Sequence, residues 1–238
     1  MEYYLSQREK ISLMKRTVFA ITASVITVGS LMSCGAGSGS TMGVSAIQNL
    51  LSNASNQGFS ILGNPEDFAT NALIESAMPQ ELRNINNTLQ SLGLGNLVKK
   101  EKQYFAEAAK LTVNTSKPIV KQAIREMTIA DAANIIAGGK GAATSYLQNK
   151  TREKLIDAIQ PQVDAKLNEY GIVKSLNTAV SGSSVGGILG TILGTDKKNN
   201  VNTISPISRL ASEQMVDGLF YVIKNYEVNN VTNPNAWK

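Results

Sequence analysis

Histidine is absent from this sequence, and cysteine occurs once, at Cys34. A chain with one cysteine forms no internal disulfide, and a chain without histidine lacks Ser-His-Asp and Cys-His catalytic machinery. Zinc sites built from histidine and cysteine are excluded for the same reason. We therefore predict no metal ligand, no cofactor and no catalytic residue of these familiar types. The sequence leaves open whether any reaction is catalysed.

Aromatic residues are also scarce, at 5% of the chain, although the formal net charge is +5. Proteins that track nucleic acid combine runs of lysine and arginine with aromatic side chains on which bases stack. The sequence contains no run of this kind. We interpret the basic excess as a solvated surface and predict no nucleic-acid partner.

The N-terminal segment has the pattern of an export signal. Lys15 and Arg16 precede an apolar stretch of roughly 15 residues. A membrane-spanning helix needs about 20 predominantly apolar residues, whereas threonine and serine interrupt this stretch and a glycine-rich segment follows it. The pattern predicts a cleaved signal peptide over residues 1–33.

The apolar stretch ends in Leu31-Met32-Ser33-Cys34, which resembles the bacterial lipobox. The resemblance implies that diacylglycerol is attached to the sulfur of Cys34 and that cleavage leaves Cys34 as the acylated N-terminus. Acyl chains such as palmitate would then be the membrane anchor, since each buried methylene contributes about 0.8 kcal/mol. We therefore predict lipidation of Cys34 and a membrane partner.

A glycine- and serine-rich segment follows over residues 34–43. Such segments behave as flexible coils, so we predict a tether that lets a domain sit away from the bilayer. Residue 35 is glycine and not aspartate, a pattern that resembles outer-membrane routing in enterobacterial-type sorting. We expect a lipid-anchored protein of the bacterial cell envelope, at the outer membrane and facing the periplasm.

Helical spacing dominates the rest of the chain from Val44 onward. Apolar residues recur at positions i, i+3, i+4 and i+7, and no segment alternates convincingly with period two. The pattern predicts a single all-α, bundle-like domain of several helices over residues 44–228. An asparagine-rich tail that we expect to be loose follows over 229–238.

Local signals predict where several helices begin and end. A helix that starts at Pro65 is expected to run through Ala77, and Pro161 is expected to kink or divide a long helix over 151–170. Five expected helix starts are Asn64-Pro65, Pro79, Pro118, the capping box from Thr128 to Asp131, and Ser205-Pro206.

Two glycine patterns allow a functional interpretation beside a structural one. Gly138-Gly139-Lys140-Gly141 invites comparison with a phosphate loop, but Asn134 replaces the earlier glycine of that motif and no serine or threonine follows the lysine. We interpret it as a helix stop. Glycines at every fourth position from Gly182 to Gly194 fit a packed helix or hairpin, a membrane or partner contact, or a mobile loop.

Three stretches carry a family resemblance: residues 122–133, residues 142–151, and the Asp-Gly-Leu-Phe motif at 217–220. In this order and spacing they resemble domain-of-unknown-function family 4197 (DUF4197), whose bacterial members have no assigned activity. The resemblance extends over roughly residues 47–226. It implies an all-helical domain, often behind a lipoprotein signal, and it supplies no catalytic residues.

The polar residues of these motifs form a candidate site. Glu213 and Asp217 lie four residues apart on one helix face, as a paired acid and base would. Helix capping and ion pairs explain the same residues equally well. The predicted polar cluster consists of Arg125, Asp131, Tyr146, Thr151, Arg152, Glu213 and Asp217.

Three classes of function remain open from the sequence. The first is a structural or partner-binding lipoprotein of the envelope, whose partner would be another envelope protein. The second is a carrier whose helices enclose an apolar cavity for a lipid or small molecule. The third is an enzyme that uses carboxylates. The sequence does not define the oligomeric state.

Overall fold

The computed structural model describes residues 39–171 and 205–231, with side chains from residue 43. These residues form eight helices and no strand, which confirms the all-α prediction. The predicted signal peptide, Cys34, the glycines from Gly182 to Gly194 and residues 232–238 lie outside the described residues. The helices are α1 (Gly39–Gly63), α2 (Pro65–Thr70), α3 (Ala72–Ser76), α4 (Gln80–Ser91), α5 (Gly95–Arg125), α6 (Ile129–Gly138), α7 (Ala142–Glu169) and α8 (Pro206–Asn230).

Asparagine side chains define the starts of α2 and α3. The Asn64 side chain accepts hydrogen bonds from the backbone amides of Glu66 and Asp67, as its N-cap pattern predicts. The helix was expected to continue through Ala77, but it ends at Thr70. Asn71 then takes an extended conformation and caps α3 in turn. A second N-cap residue inside the predicted helix therefore divides it into two short helices.

The capping box at the start of α6 is confirmed. The Thr128 hydroxyl accepts from the Asp131 amide, and the Asp131 carboxylate accepts from the Thr128 amide. α6 ends at the glycine-rich segment, where Gly139 and Gly141 have φ angles of 70° and 86°. These left-handed angles favour glycine, so the segment is a helix stop, as predicted.

Pro118 and Pro161 lie inside helices, which contradicts part of the prediction. We expected Pro118 to open a helix, but α5 continues through it. Likewise, α7 is not divided at Pro161. Each proline removes the amide that would bond the carbonyl four residues earlier, at Asn114 and Asp157. These two residues and both prolines are exposed, so water can bond the released carbonyls.

The first helix begins earlier than the predicted domain. α1 starts at Gly39, so residues 39–43 are helical and do not belong to a flexible tether. Glycine in a helix costs roughly 1 kcal/mol relative to alanine, a cost that tertiary packing offsets. A methyl group at Gly43 would lie 3.6 Å from Ile136 of α6, so this end of α1 packs against α6.

Helix α8 is the central helix of the domain. Most of its residues are buried, because it packs against α1, α3, α4 and α7, and one narrow side that includes Tyr221 and Lys224 is exposed. Its Gly218 permits close approach to α3, where a methyl group would lie 2.6 Å from Ile74. Of the helices that the structure describes, none is both long and apolar enough to span a membrane.

Three polar contacts connect α7 to α8 along their length. Glu227 of α8 contacts Thr144 of α7, Asp217 pairs with Arg152, and Ser208 donates to Asp164. Residue numbers rise along α7 as they fall along α8, so the two helices are antiparallel. The Ser205 side chain makes no cap bond at the start of α8, contrary to the expectation. Its backbone amide instead donates to Asp164 at 2.9 Å.

Candidate functional site

An open cleft surrounds Tyr146 where α7 passes the end of α5 and the length of α6. It consists of two hollows of about 360 and 420 Å³ that share Tyr146 and Asp131. We call it the Tyr146 cleft. The first hollow is lined by Ile119, Gln122, Ala123, Glu126, Thr128, Lys150, Thr151 and Lys154. The second is lined by Asn134, Ile135, Gly138, Lys140, Gly141, Ala142, Ser145, Asn149 and Lys224.

Tyr146 lines both hollows. Its hydroxyl donates to the carbonyl oxygen of Ala123 at 3.4 Å, so the ring connects α7 to α5. The Lys150 ammonium lies 5.8 Å from the centre of the ring, within cation–π range. Partial burial raises the pKa of the Tyr146 phenol, so this group is a neutral hydroxyl at physiological pH.

Asp131 is fixed by the capping box at the edge of the cleft. One carboxylate oxygen accepts from the Thr128 amide at 2.9 Å and from the Thr128 hydroxyl at 2.7 Å. These hydrogen bonds lower the pKa of Asp131, the backbone amide having the larger effect. A carboxylate with a lowered pKa is a poor general acid or base near neutral pH. Asp131 therefore acts as a structural cap.

The charged side chains of the cleft are mostly basic. Four lysines line it, compared with two acidic residues, one of which is the capping Asp131. The lysines are Lys140, Lys150, Lys154 and Lys224, and all are exposed. The cleft therefore presents a positively charged surface to solvent.

Arg152 and Asp217 form a two-point ion pair between α7 and α8. The guanidinium Nε and Nη2 atoms donate to the two carboxylate oxygens at 2.7 and 2.8 Å. The hydrogen bond to Asp217 raises the pKa of Arg152, so the guanidinium stays charged. Glu213 pairs with Arg209 at 3.0 Å, one turn from Asp217.

The predicted polar cluster therefore separates into two groups and one isolated residue. Asp131, Tyr146 and Thr151 meet in the Tyr146 cleft. Arg152, Asp217 and Glu213 belong to the α7–α8 ion pairs. Arg125 is exposed at the last turn of α5 and lines neither hollow of the cleft. Buried Thr151 donates to the Leu147 carbonyl at 2.7 Å within its own helix. Ion pairing and capping account for most of these contacts.

Glu227 is a buried polar residue that the sequence prediction missed. Its carboxylate accepts from the backbone amides of Gly141, Ala143 and Thr144 at 2.9, 3.1 and 2.8 Å. It also accepts from the Thr144 hydroxyl at 2.5 Å. Glu227 thus caps α7 from a different helix, where its charge also complements the helix dipole. The signal in the sequence was an acidic residue at helical spacing from the buried residues Phe220 and Ile223.

Glu101 of α5 is a second buried acidic residue that the sequence prediction missed. It is 1% exposed, and its Oε2 atom has no hydrogen-bond partner in the part of the chain that the structure describes. Burial raises the pKa of Glu101 to about 8, and a hydrogen bond from Asn86 and the charge of Lys102 only partly oppose this shift. Glu101 is therefore mostly protonated at neutral pH. It too lies at helical spacing from buried apolar residues, Val98 and Phe105.

Comparison with known proteins identifies the family. A family model described as a protein of unknown function (DUF4197) matches residues 38–237, most of the chain. The chain belongs to this family. The match includes all three resembling stretches, which confirms the resemblance. Neither the curated proteins nor the solved structures contain a significant match to this DUF4197 chain.

We expect Glu227→Gln to destabilise this DUF4197 domain by about 2–4 kcal/mol, because the amide places an N–H group against backbone donors and leaves them unsatisfied. Chemical unfolding followed by circular dichroism measures the change. Glu213→Gln on the same helix is the control and should cost at most about 1 kcal/mol, since Glu213 pairs with a largely exposed arginine. Equal losses in the two variants would contradict the capping role of Glu227.

Because of Glu101, the free energy of unfolding of the domain should decrease as the pH rises. Between its unfolded value near 4.5 and its folded pKa of about 8, the folded state holds a proton that the unfolded state has released. Glu101→Gln removes this dependence. The variant should therefore gain stability relative to the parent from pH 5 to pH 8, by a few kcal/mol in order of magnitude, and the difference should level off above pH 8.

Unfolding in urea at a series of pH values, with choline chloride as the only added salt, tests this prediction. Glu107→Gln, an exposed position on the same helix, is the matched control and should show a nearly constant difference from the parent. A constant difference for Glu101→Gln as well would show that Glu101 is ionised in the folded protein.

Proposed function

We propose that this protein is a lipoprotein of the bacterial cell envelope whose helical domain binds a protein partner through the Tyr146 cleft. The lipoprotein proposal rests on the sequence around Cys34. A basic segment and an apolar stretch lead to a lipobox-like motif that ends in Cys34, the only cysteine of the chain. Lipid on Cys34 would hold the domain at the outer membrane, facing the periplasm.

The shape and chemistry of the Tyr146 cleft support the binding role. Both hollows open to solvent, and exposed lysines surround a half-buried aromatic ring. Ile129, next to Thr128 in the chain, is 53% exposed. An aromatic residue and an exposed aliphatic one within a charged surface are typical of protein interfaces. A carrier requires an enclosed apolar cavity, whereas this cleft is open to solvent and lined largely by polar residues.

The described site residues give less support to the other two classes of function. The buried cavity beside Glu101 has a volume of about 10 Å³, far too small for an acyl chain. The capping box lowers the pKa of Asp131. Both carboxylate oxygens of Asp217 accept hydrogen bonds from Arg152. These contacts favour binding over acid–base chemistry.

The lipid anchor is tested by metabolic labelling with radioactive palmitate in the producing bacterium. We expect the parent chain to incorporate label, because acylation needs the thiol, and Cys34→Ser to incorporate none and remain uncleaved. Ser33→Ala is the matched control, since it keeps a small residue before the cysteine and should be labelled like the parent. Label in Cys34→Ser, or none in the parent, would refute the anchor.

The binding role is tested by photo-crosslinking in intact cells. A benzophenone amino acid at Asn149, which is exposed within the cleft, should give a discrete crosslinked product with an envelope protein. The control position is Glu107, exposed on α5 and about 18 Å along the helix from Ile119. Products that are the same at both positions, or absent at both, would count against the cleft as the binding surface.

A further inference from the structure

The four lysines of the Tyr146 cleft lie in two pairs, one in each hollow. Lys150 and Lys154 line the first hollow, and Lys140 and Lys224 line the second. All four are exposed, and none of them forms an ion pair within the part of the chain that the structure describes. Their positive charges are therefore available to a partner.

The core of the domain fixes the backbone of the second pair. Lys140 precedes Gly141, whose amide donates to the buried Glu227 carboxylate at 2.9 Å. Lys224 lies on α8 one turn before Glu227, and a methyl group at Gly141 would lie 3.3 Å from its Cε atom. These two lysines therefore come from adjacent, well-packed segments at one end of the cleft.

The two acidic residues of the cleft have partners of their own. Asp131 lines both hollows, and the hydrogen bonds from Thr128, followed by a weaker attraction to Lys150, lower its pKa. Glu126 lines the first hollow and accepts from the Gln122 amide at 2.7 Å. A partner carboxylate is thus attracted to the lysines in each hollow and repelled near Asp131, where the hollows meet.

One face of α7 runs along both hollows and sets the length of the cleft. Its lining residues recur at helical spacing, and they are Ala142, Ser145, Tyr146, Asn149, Lys150 and Lys154. Ala142 and Lys154 are about 18 Å apart along the helix axis. An extended chain advances about 3.3 Å per residue, so a segment of about six residues would span this distance.

Between the lysine pairs, the lining suits an apolar side chain and a peptide backbone. The half-buried Tyr146 ring and the half-buried Ile119 offer apolar surface. The exposed side chains of Asn134 and Asn149 line the second hollow. A carboxamide both donates and accepts hydrogen bonds, as a peptide group does, so these two residues can bond to the backbone of an extended segment.

A membrane surface fits the cleft less well than a peptide does. Anionic headgroups form a broad, nearly flat surface that attracts exposed lysines. The lysines here line the walls of a concave cleft, together with an aromatic ring and two carboxylates. A narrow segment can enter such a cleft and reach both lysine pairs, which favours a protein over a lipid surface.

We infer that the Tyr146 cleft binds an extended acidic segment of its protein partner, with carboxylates at both ends and an apolar residue between them. The carboxylates at one end pair with Lys150 and Lys154, and those at the other end pair with Lys140 and Lys224. The apolar residue packs on Tyr146. This partner chemistry rests on the binding role proposed above, because it concerns the same cleft.

Photo-crosslinking from Asn149 of the full chain in intact cells tests this chemistry when the cleft lysines are neutralised. The test variant combines Lys140→Gln, Lys154→Gln and Lys224→Gln, and it keeps Lys150 because that ammonium contacts the Tyr146 ring. We expect the yield of the protein product to fall by roughly tenfold, since each exposed ion pair changes an affinity by up to about fivefold.

A second triple variant with the same change of charge is the matched control. It combines Lys99→Gln, Lys100→Gln and Lys110→Gln, three exposed positions of α5 that do not line the cleft. Its yield should stay near that of the parent. Circular dichroism of both purified variants should match the parent, because all six substituted lysines are exposed.

Mass spectrometry of the crosslinked product then locates the attachment point in the partner. We expect a segment of net negative charge with carboxylates on both sides of an apolar residue. Reversal of these carboxylates to lysine should restore crosslinking to a chain that carries Lys140→Glu, Lys154→Glu and Lys224→Glu. Such a rescue requires direct contact between the two sets of charges.

The possible outcomes separate this inference from the binding role itself. Equal yields in the two glutamine variants, or attachment in a neutral or basic segment, would overturn the acidic partner and leave the binding role standing. An adduct with the mass of one phospholipid in place of a protein product would overturn it in favour of a lipid surface. No product of either kind from the parent would refute the binding role and this inference together.

Discussion

The arrangement of this domain depends on the pairing of buried polar groups along the central helix α8. Because water is excluded from most of this helix, its polar side chains need partners from other helices. Glu227, Asp217 and Ser208 of α8 each hydrogen-bond a residue of α7. Their partners are Thr144, Arg152 and Asp164, in the order expected for two antiparallel helices. Apolar contacts would allow the two helices to slide by a turn, whereas these three contacts fit a single register.

The all-α fold was predictable because it depends on periodicity, which every helix repeats several times. Caps were predictable wherever the donor and acceptor lie within three residues, as at Asn64 and Thr128. The prediction that Pro118 opens a helix was wrong, because it did not consider that the carbonyl released by a proline can face solvent. The buried positions of α5 keep their spacing from Val113 through Ser116 to Val120, and this spacing indicated an unbroken helix across Pro118.

The candidate site was predictable only in part. The sequence predicted one cluster of seven residues, of which Asp131, Tyr146 and Thr151 line one cleft. Two of these residues lie on one helix and the third lies near the start of the adjacent helix. Glu227 caps a helix that begins 85 residues earlier in the chain, and no local pattern specifies such a partner. An acidic residue on an apolar face does show that a buried partner is needed. The identity of that partner follows only from the fold.

The Glu227 cap also links the central helix to the Tyr146 cleft. The amides that it holds belong to Gly141, Ala143 and Thr144, at the end of the Lys140 segment that lines the cleft. Lys224 projects into the same cleft from the preceding turn of α8. A wall fixed from the core in this way loses little conformational entropy when a partner docks. The packed core and the wall of the cleft therefore depend on one helix, so a change that loosens α8 would weaken the core and, with it, the partner binding that we propose.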